Sequence, residues 1–242
     1  MFPDGRALDS PDQTISAVGD YTKKMLAVGS SKMEDEESDQ GGGMPVWMML
    51  QAGAWEEYRT PGTARDEAAV LYPSHRQMRY MAFADVISGA TGLLFNMPET
   101  PVGKPIWRDI ATLVHELRAL EPALAGGRVF QSPTPKYTNL GFTIWKGVDT
   151  LVTRDGTGRV YLFAVNNAMH PAEVLWQGLP AGTTAVRVVR DRSGAAAADV
   201  DSEARVLRVD AAGVALDAER FEGYDVIVYE IVIGGASAVA KF

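Results

Sequence analysis

Residues 45–55 read PVWMMLQAGAW, an apolar run from Pro45 to Leu50 that stops abruptly at Gln51 and is followed by Gly53 and Trp55. A short apolar stretch bounded by Gly and Pro is the pattern of a strand buried on both faces, as in a parallel sheet. If the strand belongs to a barrel, its carboxyl end is where side chains reach a ligand. The polar residue at that end is Gln51, whose amide cannot ionise.

The sequence on either side alternates helix and strand signals. Before it, Ser10, Pro11 and Gln13 form a capping box with proline at the first helical position, and Ile15, Val18, Met25 and Leu26 supply a loose apolar face. That helix is expected to stop near Gly29, and the glycine-rich, acidic stretch after it to form a loop. After residues 45–55, Pro73 and Ser74 open a second helix with Ser74 and Gln77 at capping-box spacing, Met78, Met81, Ala82 and Val86 inward, and Gly89 as its stop. TGLLF at 91–95 is a second short buried strand. The third helix follows Pro105, with Ile106, Ile110, Leu113, Leu117 and Leu120 at alternating spacings of four and three. Helix–strand–helix–strand–helix is the order of parallel strands with crossover helices.

From about residue 126 the texture changes to short strands and turns. GFTIWKG, DTLVTRD, RVYLFAVNN, AEVLWQG, TAVRVVRD, ARVLRVD and YDVIVYEIVI are punctuated by pieces such as RDGTG, PAG and DAAG. In RVYLFAVNN, Arg159, Tyr161, Phe163 and Val165 alternate with Val160, Leu162 and Ala164. About seven strands at this spacing predict a β-sandwich. SGAAAADVDSEA is read as a loop, and there is no internal repeat.

A net charge of -8 excludes the basic face that nucleic acid or an anionic membrane surface requires. Five of the acidic residues, Glu34, Asp35, Glu36, Glu37 and Asp39, fall in one run, the composition of a solvated loop. With no cysteine the chain has no thiol nucleophile and no disulfide, and its three histidines, His75, His115 and His170, are too scattered to form a metal cluster. No metal and no cofactor is therefore expected. No apolar run is long enough to cross a bilayer and the first residues lack a signal peptide's apolar stretch, so the chain as given is expected to be soluble, its compartment open. There is no G-x-S-x-G elbow, no P-loop and no G-x-G-x-x-G after a strand.

In order and texture, PVWMMLQAGAW, PSHRQMRYMAFADVISGATGLLF and PIWRDIATLVHELRALEPALAGG resemble the closing segment of a glycoside-hydrolase-type TIM barrel. These are its strand seven, strand eight and last helices. The resemblance covers residues 44–125 well and the remainder more loosely, through RVYLFAVNNAMHPAEVLWQGLP and YDVIVYEI, which look like the sandwich that often follows such barrels. It implies an α/β plus all-β chain: a partial (β/α) barrel segment over residues 1–125, then an antiparallel β-sandwich over 126–242. A TIM barrel needs eight strand–helix units and at least about 200 residues. The resemblance thus implies a missing amino-terminal barrel half, or a partner chain that supplies it. Alone, this segment would leave open parallel edges and an uncovered inner face. Full-length relatives are expected to be secreted.

Carbohydrate is the partner implied. Glycoside hydrolysis takes two carboxyl groups; in the largest clan of these barrels one follows strand four, absent here, and the other ends strand seven, where this chain has Gln51. An amide is no nucleophile, so the chain is expected to lack a full catalytic pair. The carboxylates left near that end are Glu56, Glu57 and Glu99, for each of which a solvated loop position is the commoner explanation, since exposed Glu is common. Trp55 and Trp107 suit stacking on sugar rings, although Trp107 lies at the start of an amphipathic helix and fits a core position better. Gln51 and Asn96 suit hydrogen bonds to sugar hydroxyls, Gln51 equally to nearby backbone, and Arg59 suits pairing with a loop carboxylate. A non-catalytic module that binds a carbohydrate or a protein is the alternative.

Overall fold

The first helix, α1, spans Ala17–Met33 and begins with the Ala17 N–H donating to Thr14 O at 3.2 Å. A computed structural model describes residues 14–33, 45–54, 56–57, 70–97, 102–129, 132–139, 146–190 and 206–234. The cap expected at Ser10–Gln13 lies outside them. The helix does not stop at Gly29 but runs one turn further to Met33; a single glycine costs a helix interior only about 1 kcal/mol, which its neighbours offset. The chain divides into two units, Met1–Val114 and His115–Phe242.

In the first unit the second helix, α2, spans His75–Ser88 and carries the capping box expected of it: the Gln77 N–H donates to Ser74 Oγ and the Ser74 N–H to Gln77 Oε1. Gly89 ends it at φ 115°, a left-handed conformation that a residue without Cβ adopts freely. Met78 to Asp85 are buried without a break, as is Ile87, so this helix is enclosed on most sides rather than amphipathic. α1 packs against it. Their approach is close: a Cβ on Gly19 would lie 2.8 Å from Ser88 Oγ.

Strands β1, Trp47–Gln51, and β2, Gly92–Asn96, pair in parallel, Trp47 with Gly92 and so on to Gln51 with Asn96. This is the parallel pair predicted from the sequence. Its burial differs from the expectation. Leu50 is 1% exposed, but Trp47 and Met49 are 65% and 63% exposed and Leu94, opposite Met49, is 42% exposed. One face of the pair is packed and the other is bare among the described residues. The Trp47 ring lies over Gly92, where a Cβ would meet it at 2.8 Å, so glycine is what lets the indole lie across to the neighbouring strand.

Helix α3, Pro105–Ala119, buries Ile106, Ile110 and Leu113 as its periodicity predicts, and the boundary between the two units falls within it. Glu116, on the same helix, is also buried. A single turn, α4, follows at Glu121–Leu124.

The second unit is antiparallel. Strands β3 (Gly127–Arg128), β5 (Val148–Arg154), β6 (Val160–Asn166), β11 (Val226–Ile233), β8 (Thr183–Arg190) and β9 (Val206–Arg208) form a six-stranded sheet in the order β3-β5-β6-β11-β8-β9. Strands β10 (Glu219–Phe221), β7 (Ala172–Gln177) and β4 (Thr134–Tyr137) form a three-stranded one, β10-β7-β4. Val152, Leu162, Val186 and Tyr229 from the first sheet and Val174, Trp176 and Phe221 from the second share one hydrophobic core. Trp176 sits at its middle, edge-on to Phe221 and Tyr229 with ring centroids 6.2 and 6.0 Å away.

Five of the strands expected here recur as β5, β6, β7, β8 and β11, and β9 is shorter than expected. Most of GFTIWKG and all of SGAAAADVDSEA lie outside the described residues. β3, β4 and β10 were not legible: they are two to four residues long, and Pro135 in β4 argues against a central strand. That proline is tolerated because β4 lies at the edge of its sheet. β6, with its alternating sequence, is buried at every position. The whole is mixed and sheet-rich with few helices, and no described helix is long and apolar enough to cross a membrane.

Candidate functional site

The carboxyl ends of β1 and β2 are joined by backbone. The N–H groups of Ala52 and Gly53 both donate to Asn96 O, at 3.0 and 2.9 Å, which turns the chain leaving β1 across the end of β2. Gln51 and Asn96 are therefore adjacent, as register partners. The Gln51 side chain donates from Nε2 to Gly53 O at 3.1 Å, so it does satisfy nearby backbone while remaining only half-buried. Asn96 is exposed.

The turn beyond Ala54 delivers the two glutamates to different surroundings. Glu56 is half-buried, and its Oε2 accepts from the Leu71 N–H at 3.4 Å. Glu57 is 3% exposed and fully engaged. Its Oε1 accepts from the Tyr72 hydroxyl at 2.7 Å and from Lys104 Nζ in an ion pair, and its Oε2 accepts from the Ala54 N–H at 3.3 Å. Burial alone would raise its pKa, but Lys104, Tyr72 and the Ala54 N–H together outweigh burial and hold it below the ordinary carboxylate value. Tyr72 moves the other way: burial, then the neighbouring carboxylate, raise its hydroxyl above the ordinary phenol value. Glu57 is thus a buried, ionised carboxylate tied to Ala54 beyond β1, to Tyr72 before α2 and to Lys104 before α3.

Lys104 stands just before α3, and with Gly103, Pro105, Trp107, Arg108 and Asp109 it borders an open depression of about 510 Å3. Trp107 is 46% exposed there, not a core residue. Trp55, Arg59 and Glu99 lie outside the described residues. Among the described residues no group of three or more His, Asp or Glu side chains is placed to hold a metal ion.

The structure therefore brings Gln51 and Asn96 together and ties Glu57 to Lys104, close in sequence to Trp107. Lys104 and Tyr72 had no sequence signal: their spacings from Glu57, 47 and 15 residues, match no helical or strand period.

No protein-family model and no curated protein matches the chain. Solved structures similar to it are glycoside hydrolases. A GH27 β-L-arabinopyranosidase from Geobacillus stearothermophilus aligns at 13% identity and TM-score 0.47 over 95% of this chain and 43% of its own. A maltogenic α-amylase, AmyB, from Thermotoga neapolitana aligns at 10% identity and TM-score 0.46 over 90% and 50%. A family 5 glycoside hydrolase from Bacteroides vulgatus aligns at 13% identity and TM-score 0.45 over 98% and 50%. The chain spans at most about half the length of each. At such identities and scores no residue role passes from them to this chain.

Proposed function

We propose that the chain is the carboxyl-terminal part of a carbohydrate-active, glycoside-hydrolase-like protein, in which residues 1–125 are closing units of a (β/α) barrel and 126–242 a β-sandwich. The reading rests on one observation: Gln51 and Asn96 stand side by side at the carboxyl ends of two parallel strands. Two neighbouring amides offer both donors and acceptors, the groups that sugar hydroxyls require. Trp107, Trp55 and Arg59 would extend that surface. The bare face of Trp47, Met49 and Leu94 is where further strands, from a missing barrel half or a partner chain, would lie.

On this reading the chain lacks a full catalytic pair. Glu57 is held ionised by Lys104 and Tyr72, which denies it the proton a general acid must deliver. Glu56 and Glu99 are the carboxylates left to act with any supplied by missing strands. The same enclosure of Glu57 favours a second reading, a module that binds carbohydrate without reaction.

The isolated chain is expected to give no turnover of aryl glycosides, and clear turnover overturns the missing-pair reading. On a glycan array, binding that is lost in Gln51→Ala and Asn96→Ala but survives Glu56→Gln and Glu99→Gln supports carbohydrate binding at this site. Binding indifferent to both amides removes it.

A further inference from the structure

Asp85 on α2 is fully buried at 0% exposure, and its one side-chain hydrogen bond is to Thr22 on α1, also 0% exposed, at 2.6 Å from Thr22 Oγ1 to Asp85 Oδ1. The second carboxyl oxygen, Oδ2, has no hydrogen-bond partner among the described residues. The Thr22 hydroxyl also lies 3.1 Å from Val18 O, one turn back in its own helix. A hydroxyl has a single hydrogen. It can serve Asp85 or Val18 but not both, unless the carboxyl group brings a proton of its own.

We propose that the Asp85–Thr22 contact is a proton-dependent latch that holds α1 on α2 while Asp85 is protonated and loosens when it ionises. In the closed form Asp85 donates from Oδ1 to Thr22 Oγ1, and Thr22 donates onward to Val18 O, so both bonds are made by two hydrogens. When the proton leaves to solvent, Thr22 must turn its hydrogen to the carboxylate and Val18 O loses its side-chain donor. A buried anion then remains with Oδ2 unpaired, an arrangement relieved by letting water in between the helices.

Among the described residues no cation contributes to holding that anion. α1 packs on α2 most extensively and β1 next; β1 has no titratable side chain. Beside Thr22, α1 carries Asp20, Tyr21, Lys23 and Lys24, of which both lysines are exposed. α2 itself carries His75, Arg76, Arg79 and Tyr80, and the Arg79 guanidinium stacks on the Phe83 ring, 5.3 Å from its centroid. None of these shifts Asp85: burial raises its pKa from 3.8 to about 6, against a smaller lowering by the Thr22 hydroxyl. Because the folded value is the higher one, the stabilisation is complete below the ordinary value and is lost as pH rises through about 6. The two helices also approach closely at Gly19, where a Cβ would lie 2.8 Å from Ser88 Oγ.

The test is amide hydrogen exchange of α1 in the full chain at about pH 5 and about pH 8, corrected for the intrinsic rate. From an ordinary value of 3.8 and a folded value of about 6, protection is expected to fall about tenfold between them. In Asp85→Asn, whose Nδ2 replaces the proton donor permanently, protection should stay at its acid-side level throughout. Equal pH dependence in the two proteins overturns the latch. Infrared spectra of the unsubstituted chain and of Thr22→Val give a second reading: a buried carboxylic-acid band at about pH 5, weakening by about pH 8 and displaced in Thr22→Val, supports it. Absence of that band at about pH 5 overturns it.

Discussion

Glu57 and Asp85 are both buried carboxylates in the first unit, and their surroundings shift their pKa values in opposite directions. Glu57 has a cation, a phenol and a backbone N–H around it and is ionised; Asp85 has one hydroxyl and is pushed towards neutrality. Replacing Lys104 by Met should leave Glu57 buried without its cation and cost about 2 kcal/mol, read as a lower midpoint in urea unfolding at constant slope. The pH dependence follows from the direction of the shift. A lowered folded value means Glu57 contributes its stability above its ordinary value of 4.5, and loses it as pH falls through the lowered one. Unfolding of the Lys104→Met protein should accordingly show a weaker acid dependence than that of the parent, measured by the same titration at several pH values. A chain read residue by residue shows two glutamates in a row at 56 and 57. The one that is interior, Glu57, meets Tyr72 and Lys104 there, both contributed from elsewhere in the chain.

Local signals governed the helices best. The Ser74–Gln77 capping box and the Gly89 stop were both legible because each depends on a few adjacent residues and on backbone geometry alone. Ser74→Ala should cost about 1 kcal/mol, measurable as a reduced thermal midpoint. The parallel pair of β1 and β2 was legible as well, since an apolar run between glycines and prolines has few other uses. Its burial was not. A continuous apolar strand predicts cover on both faces, yet Trp47 and Met49 face outwards while Leu50 packs inwards. Leu50→Ala should therefore cost about 2–5 kcal/mol and Met49→Ala less than about 0.5 kcal/mol in denaturant unfolding of the isolated chain. A large cost at Met49 would mean that the face is covered in solution. The short strands β3, β4 and β10 escaped the sequence because two to four residues cannot display a period; partners across the sheet define them.

Across the two units, stability is concentrated in different kinds of core. The second unit gathers both antiparallel sheets around Trp176, and Trp176→Ala should cost about 3–5 kcal/mol in its unfolding, followed by the loss of near-ultraviolet circular dichroism. In the first, the packed side of two parallel strands and the α1–α2 contact do that work. The change from α/β to all-β texture near residue 126 was plain in the sequence, because hydrophobic period and turn residues are carried by neighbours in the chain. So were the strand ending in Gln51 and the amide character of that end. The pairing of Gln51 with Asn96, the ion pair that encloses Glu57 and the solitary Asp85–Thr22 bond were decided by the tertiary structure alone. Each joins residues 45 to 63 positions apart. At such separations no periodicity survives in the sequence, and only packing determines which polar groups must share a proton or a charge.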